Sequence, residues 1–170
     1  MEGRRESTRH APRGRDGEAK VAVAIPEWCQ EILKKRAFVH LATAMADGSP
    51  QVSPVWCDFD GAYVIVNSAV GRLKDRNIRR RPEVALSCID PDNPYTRFEI
   101  RGRVVEITEE GADEHIDKLA KKYLGLDVYP FKNLGVDKFP YRKPERRVIY
   151  KIEPLRVSGL VAEGDVAKPS

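Results

Sequence analysis

Residues 95–107 read YTRFEIRGRVVEI, and their alternation decides the fold. Phe98, Ile100 and Val104 fall on one face with Gly102, while Arg97, Glu99, Arg101 and Arg103 fall on the other. A period of two with one apolar and one charged face marks a strand covered on one side. Gly102 interrupts the apolar face and predicts a bulge or a bend. A small barrel needs such a bend.

Working outward, residues 108–124 give the clearest helix. Thr108 is its predicted cap, Glu109 and Glu110 its first turn, and Ala112, Ile116, Leu119, Ala120 and Tyr123 its apolar stripe. Residues 146–157, RRVIYKIEPLRV, return to strand alternation. Upstream, EVALSCI (83–89) is an apolar strand closed by the turn residues DPDNP. FVHLATAM (38–45) and residues 50–59 flank Asp47-Gly48 as a hairpin, and Asp60-Gly61 leads into a third strand over 62–67. Pro54 cannot donate to a ladder, so its part of the strand belongs at an edge or beside a planar ligand. Residues 26–36, PEWCQEILKKR, predict a short helix that buries Trp28 and Ile32, with Leu33 or Cys29. About six strands joined mostly by hairpins, with helices before, between and after them, predict a mainly β protein. The expected architecture is an antiparallel barrel with flanking helices.

A chain of 170 residues, 41% hydrophobic and 33% charged, suits one soluble domain. No window approaches the roughly 18 apolar residues of a membrane span. Residues 1–22 read as a disordered charged tail without the apolar region of a signal peptide, 23–160 as the barrel, and 161–170 as a loose end. Cytoplasmic localisation follows as an expectation. The first 20 residues hold six basic and four acidic side chains, hence +2 of the total +4, so the body is nearly neutral. That balance argues against a nucleic-acid-binding surface. Cys29, Cys57 and Cys88 have no paired spacing, which argues against a disulfide framework or a zinc site.

The concentrated charge lies in NSAVGRLKDRNIRRRP (67–82), where six of the ten residues from Arg72 to Arg81 are basic and Asp75 alone opposes them. Ser68, Ala69 and Gly71 stand where a strand hands over to a short helix. Backbone N–H groups there can face the same point as Arg72 and Lys74, which suits a phosphate. The alternative is a solvated basic helix. No histidine spacing or carboxylate pair sets up acid–base, triad or metal chemistry. An enzyme built this way leaves the difficult step to a bound cofactor. The long segment 125–145, with three prolines and four aromatics, is of the kind that borders a site.

Taken together, DGSPQVSPVWCDFDG (47–61), the basic segment, DPDNPY and EIRGRVVEIT resemble the split-barrel flavin and deazaflavin oxidoreductases. This is the superfamily of pyridoxamine 5′-phosphate oxidase, and the resemblance is closest to its branch that uses coenzyme F420. It implies a six-stranded antiparallel split β-barrel, FMN-binding-protein-like, forming a homodimer with cofactor sites at the subunit interface. By the same resemblance Gln51, Ser53, Pro54 and Val55 border the ring, and Asn67 and Ser68 lie along it. Arg72 and Lys74 hold the phosphate with Arg76 and Asn77 nearby, and Arg79, Arg80 and Arg81 extend toward a charged tail. The implied activity is hydride transfer from C5 of F420H2 to a conjugated small molecule, with a proton from water, Tyr95 or Tyr141. The alternatives are an FMN-dependent oxidoreductase of the same fold and a non-catalytic F420 carrier. No metal, nucleic-acid or membrane partner is expected.

Overall fold

The computed structural model describes residues 21–130 and 145–162. The N-terminal tail to residue 20, most of the 125–145 segment including Tyr141, and the end from residue 163 lie outside the described residues. The elements run α1 (Glu27–Lys34), β1 (Val39–Ala44), β2 (Pro50–Val55), β3 (Cys57–Phe59), β4 (Val64–Ala69) and α2 (Leu73–Arg80). They continue as β5 (Glu83–Ile89), β6 (Arg97–Thr108), α3 (Ala112–Leu124) and β7 (Arg147–Leu160).

The seven strands form one antiparallel sheet in the order β2-β1-β5-β6-β7-β4-β3. Its two end strands are successive pieces of one run, residues 50–59, interrupted only at Trp56. The sheet therefore curls until its ends meet at that residue. Counting this run once gives the six strands of the sequence reading; the break makes seven. Pro54 stands opposite His40 on β2, which pairs only with β1 and so lies at the sheet edge that the proline predicts.

In β6, Phe98, Ile100, Gly102 and Val104 face inward. The register with β7 shifts between Arg101 and Gly102, as the glycine predicts. A Cβ at Gly102 would lie 2.7 Å from the Glu153 carbonyl oxygen. The barrel core holds Leu41, Leu86, Phe98, Ile100, Val148, Tyr150 and Ile152, closed from one side by Cys29, Ile32 and Leu33 of α1. Trp28 sets its edge on Phe98 and occupies the space beside Gly159.

The helix α3 begins later than the sequence suggests. Thr108 ends β6 and its Oγ1 accepts the Glu110 N–H in a local turn, while Gly111, at φ 68°, takes the cap position. A threonine hydroxyl serves such turns as readily as helix caps. The stripe is as read: Ala112, Ile116, Leu119, Ala120 and Tyr123 are all buried.

Tyr123 repairs the break between β2 and β3. Its hydroxyl donates to the Ala37 carbonyl at 2.7 Å and accepts the Cys57 N–H at 3.2 Å. Burial pushes that hydroxyl's pKa well above the usual tyrosine value. Beside it Lys122 Nζ donates to the carbonyls of Leu33 and Cys57. Cys57 is a fully buried core residue.

Candidate functional site

The strand β4 runs into the Gly71 turn and α2, and a buried carboxylate fixes that junction. Asp75 accepts the Gly71 N–H at 2.8 Å, the Tyr150 hydroxyl at 2.8 Å and Arg79 Nε at 3.0 Å. An acid three residues into the helix thus reaches back to the preceding turn, the carboxylate half of a capping box, with no side-chain bond from the cap residue Arg72 in return. The turn thus directs Arg72 and Lys74 toward β2 and β7. Its amides are already engaged: Gly71 N–H by Asp75 and Arg72 N–H by the Ala69 carbonyl at 3.3 Å. Two amides of the turn are thus used within the chain, and the side chains of Arg72 and Lys74 bring positive charge beside the start of α2.

A pocket of about 190 Å³ opens here, walled by Pro54, Val55 and Trp56 on one side and by Asn67, Ser68, Arg72 and Lys74 on another. Phe38, Ile116, Tyr129 and Arg147 complete it. Six of the ten sequence-predicted residues are brought together: Pro54, Val55, Asn67, Ser68, Arg72 and Lys74. The other four lie outside the lining. Gln51 Oε1 accepts from Thr43 Oγ1 at 2.9 Å, and Thr43 in turn accepts from the Asn77 amide at 3.0 Å. Asn77 is buried and also meets the Met45 sulfur, so it braces α2 against β1. Ser53 Oγ is buried without a hydrogen-bond partner among the described residues. Arg76 bends back to the Gly71 carbonyl at 2.6 Å. Arg79 belongs to Asp75, and Arg81 reaches the Ala46 carbonyl in the β1–β2 turn. Tyr95 is exposed in the β5–β6 connection and does not line the pocket.

Arg147 is the principal residue that sequence reasoning missed. Its side chain is only 6% exposed; Nε donates to Asn67 Oδ1 at 2.8 Å, and the guanidinium lies 5.4 Å from the Tyr129 ring centre. Asn67 is fixed in turn, because its amide donates to the Ala112 carbonyl at 2.7 Å. The available signal was strand parity. Arg146 is exposed and pairs with Glu109, whereas Arg147 shares its face with the half-buried Ile149, beneath α3. Aromatics form a second support. Trp56 stacks on Tyr123 at 5.1 Å and meets Tyr129 edge-on at 5.8 Å, which carries the barrel seam out to the pocket rim.

Electrostatically the pocket favours an anion. Burial lowers the Lys74 pKa, and the nearby charges of Arg72 and Arg147 lower it further. Burial likewise disfavours the charged form of Arg147. Among the described residues Glu145 pairs with Arg72 at 2.6 Å, and the charges of Glu145 and Asp113 act on Arg147. Behind Asn67, His115 Nδ1 lies 3.4 Å from its amide, and His115 Nε2 lies 3.7 Å from Asp58. Burial works to raise the Asp58 carboxyl, but His115, Lys118 and the Phe59 N–H together hold it well below the usual carboxylate range.

The family model of pyridoxamine 5′-phosphate oxidase matches residues 25–160. The chain belongs to this family. Among solved structures, an F420 reductase is 34% identical, with 79% of this chain and 98% of that one covered at a TM-score of 0.63. A conserved hypothetical protein of Mycobacterium tuberculosis is 20% identical over 91% and 98% of the two chains, TM-score 0.59. HupZ of Group A Streptococcus is 19% identical over 80% and 94%, TM-score 0.53. The last two share the fold alone. No curated protein matches the chain. Family membership makes the fold one that binds a flavin or deazaflavin and makes oxidoreductase chemistry the expected class.

Proposed function

We propose that this protein is an F420H2-dependent reductase that passes a hydride to a conjugated small molecule. The observation that carries the reading is the convergence of Arg72, Lys74 and Arg147 on a pocket whose opposite wall is residues 54–56. Three converging cations suit a phosphodiester with a further charged tail, since guanidinium groups grip such oxyanions bidentately. The 34% identical F420 reductase supports the deazaflavin over other flavins. When bound, the reduced cofactor supplies the hydride. The chain's own work is to bind and orient. Asn67 is held by the Ala112 carbonyl and by Arg147, and Trp56 with Tyr129 forms an aromatic wall of the same pocket.

The same reading includes a homodimer. A pocket of about 190 Å³ is smaller than the roughly 300–1,000 Å³ of sites that enclose a cofactor. In this reading a second copy supplies a further wall. Pro50, Val52 and Pro54 form an exposed ridge on β2, with Val52 63% exposed. That ridge joins the pocket to a groove of about 510 Å³ floored by Ala42, Ala44, Ala85 and Leu155. A largely apolar groove rimmed by the charged Glu83, Arg101 and Arg156 is the kind of surface a second copy covers.

The test is a parallel titration of the purified protein with F420 and FMN, repeated on the double variant Arg72→Ala with Lys74→Ala. Micromolar-range F420 binding that the double variant loses is the expected result, with light scattering reporting a dimer. Preference for FMN keeps the fold and changes the chemistry. Binding of neither overturns the proposal, and binding without turnover over a broad acceptor panel makes the protein a carrier.

A further inference from the structure

Two arginines of the pocket wall already hold an anion, and it belongs to the chain. Glu145 Oε1 accepts from Arg72 Nε at 3.2 Å and Nη2 at 2.8 Å, and Oε2 accepts from the same Nη2 at 2.6 Å and from Arg147 Nη1 at 3.4 Å. A carboxylate thus bridges two guanidinium groups at the pocket wall. The two arginines differ in freedom. Arg147 is anchored by Asn67 and Tyr129, whereas Arg72, 35% exposed, is held at its tip by Glu145 alone among the described residues. Lys74, on the same wall, has no ion-pair partner among the described residues.

We infer that Glu145 is a displaceable internal ligand: its carboxylate occupies the oxyanion position between Arg72 and Arg147, and a ligand's phosphate or carboxylate group binds by replacing it. The inference rests on reading this pocket as the anion-binding end of the cofactor site. It adds a residue that sets affinity from inside the chain. Without ligand, Glu145 keeps Arg72 turned toward Arg147 and relieves part of their repulsion. An incoming oxyanion must make bonds to both arginines and to Lys74 that together exceed those Glu145 gives up. A ligand with one weakly placed charge therefore gains little, and one whose anion spans all three cations gains most. Glu145 thereby acts as a selectivity filter.

The test uses the full chain and its Glu145→Gln variant, which removes the charge and keeps the shape. Dissociation constants are measured for F420, FMN and inorganic phosphate, and thermal midpoints are recorded with and without phosphate. A variant that binds the favoured cofactor about fivefold more tightly, the weight of one partly exposed ion pair, supports the inference. So does a ligand-free variant that melts below the wild type and recovers when phosphate is added. Glu109→Gln, which unpairs the exposed Arg146 away from the pocket, is the control and leaves affinity unchanged. Equal or weaker binding by Glu145→Gln, with equal stabilisation of both proteins by phosphate, overturns the inference. The two readings fail separately. F420 binding that is identical in both proteins keeps the cofactor assignment and removes the role of Glu145. Phosphate stabilisation enhanced in the variant, with neither cofactor bound by either protein, does the reverse.

Discussion

Replacing Asp75 with alanine tests how the barrel core and the pocket are joined. The carboxylate is 3% exposed and takes three hydrogen bonds, from the Gly71 amide, the Tyr150 hydroxyl and Arg79 Nε. Tyr150 is fully buried, so its hydroxyl has no water to turn to, and orphaning it costs about 1–3 kcal/mol. Gly71 is exposed and its amide can be rehydrated, so that loss is closer to 1 kcal/mol. The bond to Arg79, itself 45% exposed, adds about 0.3–0.5 kcal/mol. The sum is about 3 kcal/mol, a large share of the 5–15 kcal/mol that holds a typical domain. Urea unfolding should show it as a midpoint lower by about 1–2 M. The sharper assay is the double-mutant cycle with Tyr150→Phe. Once the hydroxyl is gone, Asp75→Ala should cost only about 1 kcal/mol, leaving a coupling of about 2 kcal/mol. Additive costs, or a single-variant loss below 1 kcal/mol, would refute the assignment of Asp75 as the acceptor that keeps Tyr150 in the core.

Three further outcomes are expected. Gly102→Ala places a methyl 2.7 Å from the Glu153 carbonyl oxygen and 2.8 Å from Ile152 Cγ2, so it should destabilise by about 1–3 kcal/mol in the same urea assay. Asp58, whose carboxyl is held low by His115 and Lys118, contributes stability that is full above its unfolded value of about 3.9 and is lost as pH falls through the folded one. Asp58→Asn should therefore melt below the wild type at pH 7, with the gap narrowing toward pH 3. Lys74 has a lowered pKa, so anion binding should persist below it and weaken as pH rises through it, before an ordinary lysine would titrate near 10.4. Lys74→Arg should hold its affinity flat to pH 10, and an equal decline in both proteins would remove Lys74 from the anion site.

The strand faces and the α3 stripe were legible because burial on one face imposes a period on the sequence, as Phe98, Ile100 and Val104 or Ile116, Leu119 and Tyr123 display. Gly102 was legible because a close backbone approach excludes every other residue. Boundaries governed by local hydrogen bonds were less so, since Thr108 can serve a turn or a cap with the same hydroxyl. The anion pocket was half visible. Arg72 and Lys74 sit in a conspicuous basic run, but Arg147 and Glu145 come from the other side of a long segment. Only strand pairing between β4 and β7, with Asn67 opposite Ile149, brings Arg147 beside Asn67. Composition also overstated the run itself. Arg76 and Arg79 are consumed by the Gly71 carbonyl and Asp75, so of six basic residues two, Arg72 and Lys74, line the pocket.

The break at Trp56 explains why a pocket arises where it does. A continuous strand over residues 50–59 would pair on both sides and leave no seam between its two halves. Val55 instead closes on Val39 and Cys57 on Val66, so Trp56 belongs to neither ladder and its ring is free to stack outward on Tyr123. The orphaned Cys57 N–H is answered by the Tyr123 hydroxyl, and that bond requires α3 to lie across the seam. Once α3 is there, its Ala112 carbonyl fixes Asn67, Asn67 fixes Arg147, and Tyr129 follows against both Trp56 and Arg147. Barrel closure and construction of the pocket are thus one structural event. A lesion at Trp56 or Tyr123 should therefore disturb Arg147 through α3, Asn67 and Tyr129.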